Sequence, residues 1–470
     1  MNINNKTKLQ ALKKTLSFIT IIGFCLSTSA QKKWSLKACV DHAMEQNISI
    51  KLANLDIWSA EEDVITARAN FLPTLSASAS QIYNFGSFIG QDGTRIKSDS
   101  RGNNFGLNTG VVLFNGFQNL NLYKQAQLGV QGSLLQLSIL KDNISLNVVN
   151  AYLNVLFNKE ALKISKEQLN VSQNQLNQTK DLVASGTRPV ADLLEVKASL
   201  AADNESLVNA QNNVDLSLLN LSQLLQLNPE GFDIEAVEIS LYTASLLYNS
   251  TATIYDYALQ NRSEIKSAEL NIENADLAID LARSAYYPTL SFGAGLGSSY
   301  QHRQGASDTR TEYNVDPNNP GQIIETIVPY GFQEQIDNNL GYNIGFSLNI
   351  PIFNGFRNDA NVYKAVINKE KATLALEQEK QNLNTNINQA YADAKAALKQ
   401  FQASTISVES QQQAYANALD KFNLGAATAF EMEQVRSRLI NAQATLLNAK
   451  YNFVFKTKVL DFYMGKPLIP

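Results

Sequence analysis

The chain has 470 residues, 39 Lys+Arg against 43 Asp+Glu, a net charge of −4 and 44% hydrophobic residues. That balance holds no basic surplus to neutralise phosphates, so nucleic acid is not an expected partner. Two histidines and two cysteines leave few ligands for a metal centre, which argues against metal enzymes and disulfide scaffolds.

The first thirty residues read as a secretory signal peptide. Lys6, Lys8, Lys13 and Lys14 precede the apolar run Leu16–Leu26, and Ser27-Thr28-Ser29-Ala30 supplies small residues for cleavage after Ala30. Cleavage would remove Cys25 and leave Cys39 alone, with no intramolecular disulfide possible. Lipidation of Cys25 is the alternative, and the bulky Phe24 before it disfavours that. No later stretch offers the ~20 consecutive apolar residues of a membrane-spanning helix. The chain is expected to be exported without an inner-membrane anchor.

Self-comparison finds the chain written twice. Asp41–Ser76 aligns with Asp256–Ser291 at an offset of 215, matching Ile50/Ile265, Leu55/Leu270, Ala67-Arg68/Ala282-Arg283 and Pro73-Thr74-Leu75-Ser76/Pro288-Thr289-Leu290-Ser291. Phe114-Asn115-Gly116-Phe117 then recurs as Phe353-Asn354-Gly355-Phe356, and Gly186 as Gly425, at an offset of 239. The second copy therefore carries an insertion, placed around Gly305–Gln335 and expected to be a polar loop. The predicted division is a first repeat over 31–230, a linker over 231–253 and a second repeat over 254–465.

Each copy holds two segments with period-two alternation, at about 73–88 and 103–114, then about 288–300 and 338–353. Leu75, Ala77, Ala79 and Tyr83 alternate with Ser76, Ser78, Ser80 and Asn84; Phe105, Leu107, Val111 and Leu113 alternate with Gly106, Asn108 and Gly110. Leu290, Phe292, Ala294 and Leu296 alternate with glycines and serine, and Tyr342, Ile344, Phe346, Leu348, Ile350 and Ile352 with Asn343, Gly345, Ser347 and Asn349. Ordinary strands average only ~5–6 residues, whereas a tilted strand crossing a bilayer needs ~9–11. Four strands cannot close a barrel, because the smallest membrane barrels have ~8, and open sheet edges do not persist in lipid. Several chains must pool strands; the arithmetic admits a dimer, a trimer or a tetramer.

The remainder reads as helix. Leu193, Leu200, Leu207, Val214 and Leu221 form a heptad ladder, as do Met432, Leu439, Leu446, Phe453 and Leu460, and Leu162, Leu169, Leu176 and Val183. Residues 118–184 predict a rod of about 100 Å by helical rise. It breaks at Ser185–Pro189 and returns over 189–226, and the second copy repeats this over 357–423, 424–428 and 429–463, giving hairpins over about 118–226 and 357–463. The fold expected is mainly α with a transmembrane β-barrel contribution.

These residues resemble the TolC family of outer-membrane efflux proteins. The resemblance rests on the repeated Pro-Thr-Leu-Ser strand openings, the Ile350-Pro351-Ile352-Phe353-Asn354-Gly355-Phe356-Arg357 exit and the turn Gly186-Thr187-Arg188-Pro189-Val190-Ala191-Asp192. Val112 stands where the second copy has Pro351, and the second turn, Gly425-Ala426-Ala427-Thr428-Ala429-Phe430-Glu431, lacks a proline. The resemblance implies a homotrimer in the cell outer membrane, with a twelve-stranded barrel contacting lipid and a periplasmic α-barrel of coiled-coil helices. It also implies a periplasmic adaptor (membrane fusion protein) and an inner-membrane pump of RND or ABC type. The docking residues would be Gly186, Thr187, Arg188, Pro189 and Asp192 with Gly425, Ala426, Ala427, Thr428 and Glu431.

No catalytic constellation stands out. His42 in a short helix and His302 beyond the third strand lack recognisable partners, so no enzyme activity, cofactor or metal site is expected. Asp192 and Glu431 also suit helix N-termini on electrostatic grounds alone. Only Met44, Met432 and Met464 remain after processing, which offers no methionine-rich path for copper(I). The expected function is an exit duct of a tripartite efflux pump or type I secretion system. A periplasmic coiled-coil adaptor or structural protein is the alternative, and that would lack membrane-length strands.

Overall fold

The computed structural model describes residues 33–89, 91–97, 99–235, 248 and 250–466. The signal-peptide assignment, with Cys25 and Ala30, and most of the 231–253 linker lie outside the described residues. In chain order, α1 (Leu36–Gln46) and α2 (Ile48–Ala69) lead into β1 (Thr74–Asn84), a short hairpin of β2 (Ser87–Ile89) and β3 (Arg95–Lys97), then β4 (Ser100–Asn115), α3 (Gln118–Ala184) and α4 (Val190–Leu224). There follow α5 (Thr251–Asn261), α6 (Ser263–Ser284), β5 (Thr289–Arg303), a hairpin of β6 (Thr309–Val315) and β7 (Ile323–Pro329), α7 (Phe332–Asn338), β8 (Gly341–Asn349), α8 (Arg357–Asn423) and α9 (Ala429–Tyr463). The chain is mostly helical with some sheet. Helices at matching places have equal lengths: 11 residues in α1 and α5, 22 in α2 and α6, 67 in α3 and α8, 35 in α4 and α9.

The chain packs as two compact units, each assembled from both halves. The first comprises Asn54–Gln136 and Lys266–Glu379. Its centre is a four-stranded antiparallel sheet in the order β1-β4-β5-β8. Cross-strand register sorts the side chains by face, because successive residues on a strand point to opposite sides. One face runs Ala77–Leu107–Leu296–Tyr342, Leu75–Thr109–Ala294–Ile344 and then Val111–Phe292–Phe346. The other carries Ser76–Asn108–Gly295–Asn343 and Ser78–Gly106–Gly297–Gly341. Phe292 and Phe346 rings lie 5.2 Å apart on the apolar face.

Four details differ from the sequence reading. Leu113 does not continue the β4 alternation: the register shifts between Val112 and Phe114, so Phe114 takes the place opposite Leu290. A bulge of this kind changes which residues share a face. The strand expected over 338–353 ends at Asn349, before Pro351, which has no N–H to give a ladder. The insertion is not a plain loop; it folds into the β6–β7 hairpin and α7. α7 lies on the sheet, its Phe332 ring 5.1 Å from Tyr300 and 6.3 Å from Phe105, while Gln301 N–H donates to Gln335 at 2.9 Å. β5 also runs on to Arg303, so His302 lies within the strand, with Nδ1 2.6 Å from Asp308 Oδ1.

The strand-to-helix corners are alike in both halves. Gly116 and Phe117 take φ of 63° and 67°, Gly355 and Phe356 66° and 64°, a left-handed conformation costly for a side chain with a Cβ.

The second unit runs up to Ala53, through Leu137–Ile265 and from Lys380 onward. Trp34 bridges Ile234, and the buried Tyr152 hydroxyl lies 3.0 Å from Glu235 O and 3.3 Å from Trp34 O. Lys159 and Lys33 pair with Asp233; burial opposes ionisation there, but these lysines and the Ile234 N–H hold its pKa below the usual carboxylate range. Fully buried Val148, Tyr152, Leu221, Ile234, Ile254, Ile387 and Leu460 form its interior. Of the heptad positions, Val214, Leu221, Met432, Leu439, Phe453 and Leu460 are buried, while Leu193, Leu200, Leu207 and Leu446 and the whole Leu162–Val183 ladder are half-buried. His42 stacks edge-on against Trp34 at 5.2 Å. Cys39 is fully buried, and burial pushes its thiol pKa up to about 12.

Candidate functional site: the helical tips

The two turns of the second unit share one geometry. Gly186 and Gly425 have φ of 74° and 79°. Thr187 N–H donates to Leu182 O at 2.9 Å and Ala426 N–H to Lys421 O at 2.8 Å, while Gly186 N–H reaches Val183 O and Gly425 N–H reaches Phe422 O, each at 3.0 Å. This is the paired closure that satisfies the last carbonyls of a helix, with glycine in the left-handed position. The returning helices start differently. Pro189 precedes α4 without a side-chain cap. Thr428 and Glu431 form a reciprocal capping box on α9, the Thr428 hydroxyl accepting from Glu431 N–H at 3.2 Å and Glu431 accepting from Thr428 N–H at 2.9 Å. Bonds donated to its carboxylate by the Thr428 N–H and, at 3.1 Å, by the Thr428 hydroxyl lower the Glu431 pKa.

Arg188 and Asp192 join the turns. The buried Arg188 guanidinium donates to Phe422 O and, at 2.9 Å, to Ala427 O, lies 4.3 Å over the Phe422 ring and pairs with Asp192 at 3.4 Å. Asp192 accepts from Ala429 N–H at 3.2 Å. One arginine thus caps the end of α8 and one aspartate the start of α9, placing a cation by the carbonyl end and an anion by the amide end. Beneath them Val196, Phe422, Ala429 and Met432 form a buried cluster, which commits Met432 to the core. Of the ten residues expected to dock a partner, Arg188 and Asp192 are turned into this clasp, and Ala427 is half-buried. Gly186, Thr187, Pro189, Gly425, Ala426, Thr428 and Glu431 are exposed.

Two features were missed from sequence. Leu424 is 85% exposed, and Val190, Leu194 and Phe430, near the starts of the returning helices, are exposed too; an apolar residue inside a turn was the available signal. Further from the turns, buried Arg436 donates to Asp203 at 2.5 Å, Ser172 Oγ at 2.6 Å, Ser199 Oγ at 2.9 Å and Glu433 at 3.1 Å. Ser172 in turn donates to Asp203, and Ser199 to Glu433 at 2.7 Å. Burial pulls the Arg436 pKa down, and Asp203 and Glu433 more than offset it, leaving it raised. This node ties α3, α4 and α9 together. Among the described residues there is no cluster of His, Cys, Asp and Glu able to hold a metal and no helix long and apolar enough to cross a membrane.

A long-stranded sheet with one apolar face and two helical hairpins closed by glycine caps suit a membrane channel of mixed β and helical construction. The family model "Outer membrane efflux protein" matches residues 39–226 and again 254–466. The chain belongs to the outer membrane efflux protein family: it is an outer-membrane efflux channel and not an enzyme. It is 23% identical to outer membrane protein TolC of Escherichia coli over 97% of this chain and 87% of that protein. It is 23% identical to the cation efflux system protein CusC of Escherichia coli, covering 88% of this chain and 83% of that one. The crystal structure of the Campylobacter jejuni CmeC outer membrane channel superposes with a TM-score of 0.70 at 19% identity, covering 92% of this chain and 85% of that chain.

Proposed function

We propose that three copies pool their strands into one twelve-stranded barrel in the cell outer membrane, and that their helices continue as a tube into the periplasm. The observation that carries this is the sheet itself: four strands with an apolar face, a face of Ser, Asn and Gly, and open edges at β1 and β8. Lipid cannot satisfy those edges, and small uncharged side chains suit a water-filled lumen. The two halves, 31–230 and 254–465, are read as structural repeats, which the equal helix lengths support. The duct passes cargo without chemistry of its own, supplied by an inner-membrane pump of RND or ABC type through a periplasmic adaptor.

The tips are the docking surface in this reading. The exposed turn residues and Leu424, Val190, Leu194 and Phe430 would meet the adaptor, while Arg188 and Asp192 hold the turns in shape. Two measurements test the proposal. Native mass spectrometry of detergent-solubilised protein should give three chains; a stable membrane-embedded monomer would refute the pooled barrel. The Gly186→Val, Gly425→Val double variant should keep normal trimer levels, because a Cβ at either position has open space and only the left-handed backbone is strained. It should lose export and cross-linking to the adaptor. Wild-type export by that variant would place docking elsewhere.

A further inference from the structure

We propose that the outward end of the sheet's apolar face is a binding site for a phosphorylated lipid of the outer leaflet, of the lipid A class, with Arg101 holding a headgroup phosphate. The inference rests on the reading above that this face meets lipid, and it assigns that face a specific headgroup contact. From the row Phe114–Leu290–Leu348 to the row Ala79–Phe105–Ser298 the face is mainly apolar. Phe114 to Phe105 spans about 30 Å of strand by its rise. At the usual tilt of a membrane strand that is close to the ~25 Å apolar band of a barrel. Arg101 lies four residues further from the helices on the same face, about 13 Å along the strand, which is headgroup depth.

The character of the face changes there. The next rows are Gln81–Asn103–Tyr300 and Tyr83–Arg101–His302, an aromatic and polar belt of the kind that meets a membrane surface. Arg101 is exposed; its Nη2 donates to the Tyr300 hydroxyl at 3.3 Å, and the guanidinium carbon lies 5.5 Å from the centroid of that ring. The carboxylates of the neighbouring segments are engaged elsewhere. Asp308 Oδ1 lies 2.6 Å from His302 Nδ1, Asp99 pairs with Lys97 at 3.1 Å, and Glu312 pairs with Arg310. Among the described residues Arg101 makes no ion pair, and its side-chain partner is a phenol. A guanidinium presents a planar fork of donors that phosphate oxygens fill two at a time.

The platform under this cation is fixed. Tyr300 is 3% exposed, and the Phe332 ring of α7 packs on it at 5.1 Å. α7 is itself anchored to β5: Ser298 Oγ donates to Ile336 O at 2.6 Å, Gln335 Nε2 to Gln301 O at 3.1 Å and Asn339 Nδ2 to Ser299 O at 2.7 Å. Beside Arg101 in register, Tyr83 stacks on Phe85 with ring centroids 6.4 Å apart, and Phe85 stays 79% exposed. A cation held on a buried ring, next to open aromatic surface and at the edge of an apolar face, suits an amphiphile with an anionic head. The strand plan does not demand that cation, because the place matching Arg101 at the offset of 239 is Leu340. The site therefore belongs to the first half alone and occurs once per chain.

Native mass spectrometry tests this on the assembled protein purified in detergent, titrated with phosphorylated lipid A and with the same lipid stripped of its phosphates. The wild type should take one phosphorylated lipid per chain and prefer it over the stripped form roughly tenfold, the worth of a charge-assisted contact. Arg101→Gln should lose that preference, and Arg101→Lys should keep part of it, as a point charge without the fork. Asn104→Gln, on the opposite face of β4, should keep all of it. Equal preference in wild type and Arg101→Gln, with assembly intact, would overturn the site and leave the lipid-facing assignment standing. A wild type that binds both lipids alike would show acyl contact only and overturn it as well. If arginine at Phe346 instead proves as harmless to membrane assembly as arginine at Asn343, the apolar face does not meet lipid, and the site falls with that reading.

Discussion

Replacing Arg436 by methionine is expected to destabilise the tip-bearing unit by about 3–5 kcal/mol, because Asp203 and Glu433 are left buried without their cation. The side chains concerned are 6–11% exposed, so solvent offers little screening. In native-state hydrogen exchange, amides of α4 and α9 around the node should lose roughly two to three and a half decades of protection. The triple variant Arg436→Met, Asp203→Asn, Glu433→Gln should recover much of that loss, since removing all partners costs less than orphaning one. Protection unchanged within threefold in the single variant would mean that water reaches the carboxylates and the node is not a structural tie.

The second large effect is expected at Phe346. It faces the same side as Phe292, Ile344 and Leu348, between apolar rows above and below. Arginine near the bilayer midplane of a membrane strand costs roughly 2–4 kcal/mol, so Phe346→Arg should sharply reduce barrel assembly. Asn343→Arg, on the opposite face of the same strand, should assemble and alter single-channel conductance instead. Equal assembly yields for the two variants in a bilayer-insertion assay would overturn the assignment of faces.

Much of this fold was legible because it is written in local signals. Gly186 and Gly425 stop their helices within a residue of the expected positions, since a left-handed cap depends on the glycine itself. The strand faces followed from alternation, and the heptad ladders from spacing. What escaped depends on partners distant in sequence. The Leu113 bulge is set by how β4 meets β5, some 180 residues on, and nothing in Val112-Leu113-Phe114 marks it. The β6–β7 hairpin lies in a polar, proline-bearing stretch whose alternation is short. At the candidate site, Arg188 and Asp192 could be singled out but not assigned, because their partners Phe422, Ala427 and Ala429 sit 234 to 239 positions away. Arg436 gave no signal: one cation on a long helix reads as a solvated residue until four other side chains are found around it.

The clasp at the turns separates two kinds of constraint. Arg188 and Asp192 point inward to fix the backbone there, two glycines and the Thr428–Glu431 capping box complete it, and the stretch Gly425-Ala426-Ala427 contributes main-chain bonds alone. Substitutions at Leu424, Ala426 or Phe430 are therefore expected to leave the fold of the tip intact. If the tips dock the adaptor, as proposed, a lineage can change the sequence presented there by single steps, without passing through an unfolded intermediate. On that reading partner choice can drift while the scaffold stays fixed.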